Sequence, residues 1–147
     1  MLKGIHPLVH AELLHTLASM GHGDELAIVD GNFPAAALAR RLIHLPAPTA
    51  AQALDAILTL FPLDTTATPA MLTMQVIGDP APVPEAVRDF VSVLSRHGLQ
   101  AQATGSLERE AFYARARAAF AIVRTADQRP YGNILLVKGV VNEYRAP

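Results

Sequence analysis

Short apolar runs that alternate with longer amphipathic segments constrain the fold of this 147-residue chain more than any other feature. Strands are predicted for the apolar runs, at 26–29, 42–45, 71–77, 100–104, 120–123 and 134–137. Helices are predicted for the segments with helical periodicity, at 7–20, 35–39, 49–61, 85–97 and 106–118. Strands that alternate with helices favour an α/β fold whose mainly parallel sheet is covered on both faces. We therefore predict a single three-layer α/β/α domain over residues 1–147.

Local signals mark the ends of these helices. Pro7 suits the first turn of the first helix, and Gly21 suits the left-handed residue that follows its end. Thr49 and Ser106 are predicted N-caps, because a hydroxyl oxygen can accept a hydrogen bond from the first backbone N–H groups of a helix.

Composition excludes several classes of protein. The 12 basic and 13 acidic residues give a formal net charge of −1, so the chain lacks the basic field that nucleic-acid binding needs. No apolar run approaches the length of about 18 residues that a membrane span requires. Cysteine is absent, which excludes thiolate catalysis and fits a cytoplasmic location. The hydrophobic fraction of 51% is high and favours a homo-oligomer.

The tract 20–34 carries the residues best suited to chemistry. His22 lies between two glycines, whose small size lets a ligand approach the ring. Histidine can donate or accept a proton near neutral pH, although a polar turn residue after a helix is the alternative interpretation. Asp24 or Glu25 could orient the imidazole, but acidic residues that precede a strand are usually solvated.

Polar residues at two strand ends suggest a sugar site. Asp30 follows the predicted strand 26–29, at the carboxyl end where open α/β sheets usually place their ligands. Its carboxylate could accept hydrogen bonds from vicinal hydroxyls, or bond its own backbone in a turn. Tyr131 and Asn133 offer a hydroxyl and an amide, a pair typical of sugar sites. An ordinary turn with positive φ at Gly132 is the alternative.

Other polar residues give weaker signals. Arg109 and Tyr113 are four residues apart on one predicted helix, so both can reach the same place. His10 and His15 would lie about 140° apart on a helix, and His6 precedes it, so no metal site is expected. The sequence lacks a phosphate loop and a nucleophile elbow, which disfavours nucleotide binding and serine catalysis.

Several tracts together resemble the RbsD/FucU family of sugar mutarotases, and its fucose branch in particular. They include Met1-Leu2-Lys3-Gly4-Ile5, Gly21-His22-Gly23-Asp24-Glu25, Asn32-Phe33-Pro34-Ala35 and Tyr131-Gly132-Asn133-Ile134. The resemblance runs from residue 1 to about residue 140, and the ribose branch has a threonine in place of Gly23. It implies an α/β/α fold and interconversion of the α and β anomers of L-fucose. It also implies no metal or organic cofactor, and a ring-shaped homo-oligomer, often a decamer, with sites near subunit contacts.

The resemblance also implies roles for individual residues. His22 matches the catalytic histidine, and Tyr131 is the expected partner in proton transfer. Asp30, Arg109 and Asn133 match substrate-binding residues, although the glutamate after Arg109 stands where relatives usually have an apolar residue. Two alternatives stay open: a D-ribose pyranase activity on the same scaffold, and a non-catalytic sugar-binding or regulatory protein.

Overall fold

The computed structural model describes residues 2–64, 66–67, 69–100 and 104–142 of the chain. The helices are α1 (Ala11–Ser19), α2 (Ala35–Leu38), α3 (Ala50–Leu58), α4 (Glu85–Arg96) and α5 (Arg109–Ala118). The strands are β1 (Glu25–Val29), β2 (Leu42–His44), β3 (Met71–Met74), β4 (Thr104–Leu107), β5 (Ala121–Arg124) and β6 (Ile134–Val137).

The six strands form one sheet in the order β2-β5-β1-β6-β3-β4. β6 is antiparallel to both of its neighbours, β1 and β3, whereas the other three pairings are parallel. The predicted, mainly parallel α/β sheet is therefore confirmed. Because β5 and β6 lie on either side of β1, the segment that joins them passes the carboxyl end of β1. This crossing brings residues 125–133 next to Asp30.

Helices cover both faces of the sheet. This explains why the residues of β1 that lie between them are apolar throughout. Leu26 and Ile28 pack in a core that includes the buried residues of α1, α3 and α4. Ala27 and Val29 point the other way and pack with Phe112 and other residues of α2 and α5. Successive side chains of a strand face opposite sides, so a strand between two helical layers is apolar at every position. The predicted three-layer arrangement is confirmed.

The ends of α1 differ from the prediction. His10 is the N-cap of α1, so Pro7 lies in the preceding turn and not in the first helical turn. Gly21 does not adopt the left-handed conformation, because Met20 ends the helix in an extended conformation with φ −71° and ψ 140°. The left-handed glycine of this loop is Gly23, with φ +83°.

The two predicted N-caps have different outcomes. Thr49 caps α3 as expected, and its Oγ1 accepts a hydrogen bond of 3.1 Å from the backbone of Gln52. Ser106 does not cap α5, because it lies within β4. The carboxylate of Glu108 is the cap instead, accepting from two backbone N–H groups of α5.

Two predicted strands have different bounds in the structure. The strand expected at 71–77 ends at Met74, where its neighbour β4 also ends at Leu107. The strand expected at 100–104 falls mostly on residues outside the described ranges, and β4 begins at Thr104. Within the described ranges no helix is long and apolar enough to cross a membrane.

Candidate active site

Asp30 is a buried carboxylate at the carboxyl end of β1, with 3% of its surface exposed. Its Oδ1 accepts hydrogen bonds of 2.9 Å from the backbone N–H groups of Asn32 and Phe33, so the turn predicted as the alternative is present. Its Oδ2 accepts one bond of 3.2 Å from Gly132 and can accept another from a ligand. Burial raises the pKa of Asp30 although these hydrogen bonds oppose the shift.

Asn133 lies beside Asp30 and is also buried. Its Oδ1 accepts a hydrogen bond of 3.1 Å from the backbone N–H of Asp30, across the antiparallel pair of β1 and β6. Gly132 sits between them so tightly that a Cβ there would lie 3.2 Å from the Cβ of Asp30. The structure thus brings the predicted aspartate and asparagine together, and the glycine permits their approach.

Tyr131 joins the same cluster from a left-handed backbone conformation. Its φ is +62°, and it is the only non-glycine residue with positive φ in the described part of the chain. The alternative, a turn with positive φ at Gly132, is not what the structure shows, because the positive φ falls one residue earlier. The Tyr131 hydroxyl accepts a hydrogen bond of 3.2 Å from the backbone N–H of Ile77, in the loop after β3. The phenol oxygen is thus held at the carboxyl edge of the sheet.

Arg109 stands at the start of α5 near the same loop. It lines a pocket of about 240 Å³ together with Gln75, Ile77 and Asp79. Its Nε donates a hydrogen bond of 3.0 Å to Glu110, and its side chain is 45% exposed. Tyr113 lies on the same helix, and its ring packs edge-on against Phe33, with 5.1 Å between the ring centroids.

An ion-pair network supports the loop that carries Tyr131 and Asn133. Arg129 donates to the buried carboxylate of Asp127 at 3.0 Å and to Asp89 of α4 at 2.7 Å. Its hydrogen bonds with these carboxylates raise the pKa of Arg129. The sequence does not mark Asp127 and Arg129 as part of the site. The one local feature of this pair is an aspartate two residues before an arginine.

His22 lies at the other edge of the sheet, before β1. Its Nε2 is 3.2 Å from Oδ2 of Asp64, and its side chain is 56% exposed. Hydrogen bonds from Thr66 lower the pKa of Asp64 to about 2, and the bond with His22 adds to this effect. The acidic partner of His22 is thus an aspartate that the sequence analysis missed.

Asp24 and Glu25, the two acidic residues that could have oriented the His22 imidazole, have other partners. The carboxylate of Asp24 accepts a hydrogen bond of 2.7 Å from the backbone N–H of Gly21. Glu25 forms an ion pair with Arg115 of α5. The possibility that one of them orients His22 is therefore not what the structure shows.

A single chain does not bring His22 together with the other predicted site residues. Asp30, Asn133 and Tyr131 meet at the carboxyl end of β1, and Arg109 stands near them beside the loop after β3. His22 precedes the amino end of β1, whose five residues alone span about 16 Å. The structure therefore shows two polar sites on opposite edges of one sheet.

No group of three or more His, Asp or Glu side chains within the described ranges could hold a metal ion. The histidines near α1 have other contacts. Nδ1 of His10 accepts from the backbone of Leu13 at the helix N-terminus, and its Nε2 faces the carbonyl oxygen of His44 at 3.2 Å. The side chains present at the two polar sites can form hydrogen bonds and transfer protons.

Comparison with known proteins defines the family. A family model of the RbsD / FucU transport protein family matches residues 3–141, and the chain belongs to this family. It is 38% identical to the fucose mutarotase from Streptococcus pneumoniae, solved in complex with L-fucose, with a TM-score of 0.89. The match covers 95% of this chain and 99% of that one. The resemblance found in the sequence is thus confirmed.

Two further solved structures are similar. FucU from Bifidobacterium longum is 38% identical with a TM-score of 0.86, and the match covers 95% of this chain and 99% of that chain. RbsD from Bacillus subtilis, solved with D-ribose, is 21% identical with a TM-score of 0.71 over 96% of this chain and 99% of that chain. The latter comparison supports the fold alone.

Proposed function

We propose that this protein is a sugar mutarotase, an isomerase that interconverts the α and β anomers of free L-fucose. The observation that carries the proposal is the similarity, over nearly the whole chain, to a fucose mutarotase bound to L-fucose. The polar cluster around Asp30 agrees with it, because Asn133, Tyr131 and Arg109 offer hydrogen-bonding groups suited to sugar hydroxyls.

The reaction needs only two coupled proton transfers. His22, as the imidazolium ion, donates a proton to the ring oxygen while Tyr131, as the phenolate ion, receives the proton of the anomeric hydroxyl. The bond from the anomeric carbon to the ring oxygen breaks, and a carbonyl group forms. After rotation of the aldehyde, ring closure on its other face reverses both transfers and yields the other anomer. Each positioned proton-transfer group contributes about 10²- to 10⁴-fold to such reactions.

The remaining residues bind and orient the sugar in this proposal. Asp30 accepts a hydrogen bond from a sugar hydroxyl at Oδ2, the oxygen that also accepts from the backbone N–H of Gly132. Asn133 uses Oδ1 for the backbone of Asp30, which leaves its amide N–H groups to donate. Arg109 lines the neighbouring pocket and donates from its guanidinium group.

A complete site requires two copies of the chain. His22 and the Asp30 cluster are separated by the length of β1, which is greater than a monosaccharide can bridge. We therefore infer that His22 of one copy acts on a sugar held by the Asp30 cluster of another. Contacts of this head-to-tail kind close into rings when the rotation permits, and a decameric ring is one such assembly.

An apolar groove along α1 supports the assembly of copies. The groove has a volume of about 530 Å³, and its lining includes Ile5, Val9, Leu14 and Ala18. The helix that forms it ends three residues before His22, so a second copy seated there would lie close to the histidine. The cysteine-free composition is consistent with a cytoplasmic assembly.

Saturation-transfer proton NMR on the anomeric signals of L-fucose tests the proposed activity. The protein should accelerate exchange between the α and β signals, and a His22→Gln variant of unchanged fold should not. D-ribose serves as the comparison substrate. Acceleration for D-ribose alone would place the protein with the ribose pyranases. Saturable binding of sugar without acceleration would identify a sugar-binding protein and overturn the enzymatic proposal.

A further inference from the structure

An exposed isoleucine lies among the polar residues of the proposed sugar site. Ile77 follows β3, in the loop at the carboxyl edge of the sheet, and 58% of its surface is exposed. It lines the pocket of about 240 Å³ that also contains Arg109. A single exposed apolar side chain has no significance by itself, so the role of Ile77 depends on what surrounds it.

A tight turn fixes the backbone of Ile77. The N–H of Asp79 donates to the carbonyl oxygen of Val76 at 3.2 Å, which closes a β-turn. Gly78, at the third position of this turn, has φ +76°, as a type II turn requires. Ile77 occupies the second position, whose N–H takes no part in closing the turn. That N–H can therefore bond to a group outside the loop.

The same N–H connects Ile77 to the residues proposed to act on the anomeric centre. It donates a hydrogen bond of 3.2 Å to the hydroxyl oxygen of Tyr131. The next residue along the chain, Gly132, donates from its backbone to Oδ2 of Asp30 at 3.2 Å. A continuous series of contacts thus runs from Ile77 through the proposed proton acceptor to the buried carboxylate. The position of Ile77 beside Tyr131 is set by its backbone.

The pocket that Ile77 shares with Arg109 has both charged and apolar walls. Arg109 donates to Glu110 at 3.0 Å. Both carboxylate oxygens of Glu108 accept from the first backbone N–H groups of α5. The apolar side chains of the lining are those of Val76, Ile77 and Pro80. The ligand that suits this pocket therefore combines hydrogen-bonding groups with an apolar group.

The sugar proposed as the substrate has one apolar substituent. L-Fucose is a 6-deoxy sugar, whose pyranose ring carries hydroxyl groups and, at carbon 5, a methyl group. Carbon 5 and the anomeric carbon are both bonded to the ring oxygen, so the methyl group and the anomeric hydroxyl flank the same atom. A side chain fixed beside Tyr131, which receives the proton of the anomeric hydroxyl, is therefore within reach of the methyl group.

We propose that Ile77 is a specificity-determining residue that contacts the methyl group at carbon 5 and selects 6-deoxy sugars. The contact removes apolar surface of both groups from water. A sugar with only hydrogen at this position leaves the isoleucine exposed, and a hydroxymethyl group there places a hydroxyl against an apolar side chain. The inference rests on the proposed function for the reaction, whereas the contact is a property of sugar binding.

D-Arabinose tests this contact, because its pyranose ring has the hydroxyl groups of L-fucose in the same configuration and lacks only the methyl group. With wild-type protein, kcat/KM for anomer exchange should be about 10-fold higher for L-fucose than for D-arabinose. The Ile77→Ala variant keeps the backbone N–H that bonds to Tyr131. Its kcat/KM should fall by about 10-fold for L-fucose and by less than about twofold for D-arabinose. The fall should appear in KM, because the methyl contact is as strong in the bound sugar as in the transition state.

Val83→Ala is the matched control for the side-chain truncation. Val83 lies in the same loop, is 50% exposed and is outside the lining of the pocket, so this variant should keep the wild-type preference. An unchanged preference for L-fucose in Ile77→Ala would overturn the inference. An equal loss with both sugars would also overturn it, since Ile77 would then support Tyr131 or the assembly of copies. If Ile77→Ala does not fold, Ile77→Val replaces it and should lower the preference by about two- to fourfold.

Binding measurements separate this inference from the proposed function. A wild-type protein that accelerates exchange equally for the two sugars would overturn the role of Ile77 and leave the mutarotase proposal intact. A wild-type protein that binds sugar without accelerating exchange would overturn the mutarotase proposal, and calorimetric Kd values for L-fucose and D-arabinose would then decide the inference. A Kd ratio that approaches one in Ile77→Ala would support the contact, and an unchanged ratio would contradict it. Binding of neither sugar would overturn both proposals.

Discussion

His22 and Asp30 lie at opposite ends of β1, on opposite edges of the sheet. The loop of His22 pairs with the residue that follows β6, whereas Asp30 bonds to Gly132 and Asn133, which precede β6. Since β1 and β6 are antiparallel, these contacts mark the two ends of one ribbon. Both residues can act on one sugar only when the two edges come from different copies.

Mixed oligomers test this arrangement. His22→Gln and Asp30→Asn should each abolish most anomer exchange when purified alone. When the two variants are co-expressed, some sites combine an intact His22 from one copy with an intact Asp30 from another. For a head-to-tail ring with random mixing, we expect about a quarter of the wild-type activity per chain. Failure of the mixture to regain activity, although mass spectrometry shows mixed assemblies, would place the whole site within one chain.

The Tyr131→Phe variant distinguishes two roles of the Tyr131 hydroxyl, in proton transfer and in holding its own loop. The variant keeps the ring and loses the hydroxyl that accepts from the backbone of Ile77. We expect a loss of about 10²-fold or more in kcat. The free energy of unfolding should fall by only about 1 kcal/mol, the usual contribution of one hydrogen bond. A variant with wild-type kcat in the NMR exchange assay would show that the hydroxyl only anchors the loop.

Arg129→Ala should destabilise the protein by removing the partner of a buried carboxylate. Asp127 is 1% exposed and accepts two side-chain hydrogen bonds from Arg129, at 3.1 and 3.0 Å. Leaving a buried acceptor without its charged partner costs about 2–3 kcal/mol. Urea unfolding measures this loss, and Arg117→Ala, at an exposed position of α5, is the matched control. Equal stabilities of the two variants would contradict the supporting role of Arg129.

Much of the fold could be predicted because its four inner strands are largely apolar on both faces. The predicted runs 26–29 and 134–137 correspond to β1 and β6, within one residue for the first and without change for the second. The direction of β6 could not be predicted, since periodicity is the same for parallel and antiparallel strands. That direction is what places Asn133 beside Asp30.

Residues of the candidate site could be predicted only where neighbouring residues in the sequence mark them. Asp30 follows a strand and Tyr131 precedes one, which marks both as candidates. Asp64 is 42 residues from His22, and the turn it forms with Thr66 accounts for its presence without reference to the histidine. The contact between these two distant loops depends on how the strands assemble in the sheet. No residue spacing in the sequence predicts that contact.

The stability contributed by Asp64 should depend on pH. Hydrogen bonds from Thr66 lower the pKa of Asp64 in the folded protein from 3.8 to about 2. A carboxylate with a lowered pKa stabilises the folded state above its unfolded pKa, and the contribution is lost as the pH falls through the folded value. The difference in unfolding free energy between wild type and Asp64→Asn should thus be constant above about pH 5 and shrink toward pH 2. Denaturant unfolding at a series of pH values measures it, and a constant difference throughout would contradict the assignment.

Gly132→Ala should disturb the Asp30 cluster through a direct steric contact. A Cβ at this position would lie 3.2 Å from the Cβ of Asp30 and 3.5 Å from Oδ2 of Asp127, and both residues are buried. Since the Cβ of Asp30 must give way by a few tenths of an ångström, we expect a loss of about 1–3 kcal/mol in unfolding free energy together with weaker sugar binding. Gly21→Ala is the control for stability, because the nearest atom to its Cβ is Oδ2 of Asp24 at an ordinary 3.7 Å. Urea unfolding and calorimetric titration with L-fucose measure the two effects. A Gly132→Ala variant that matches wild type in both would show that Asp30 is not tightly packed against Gly132.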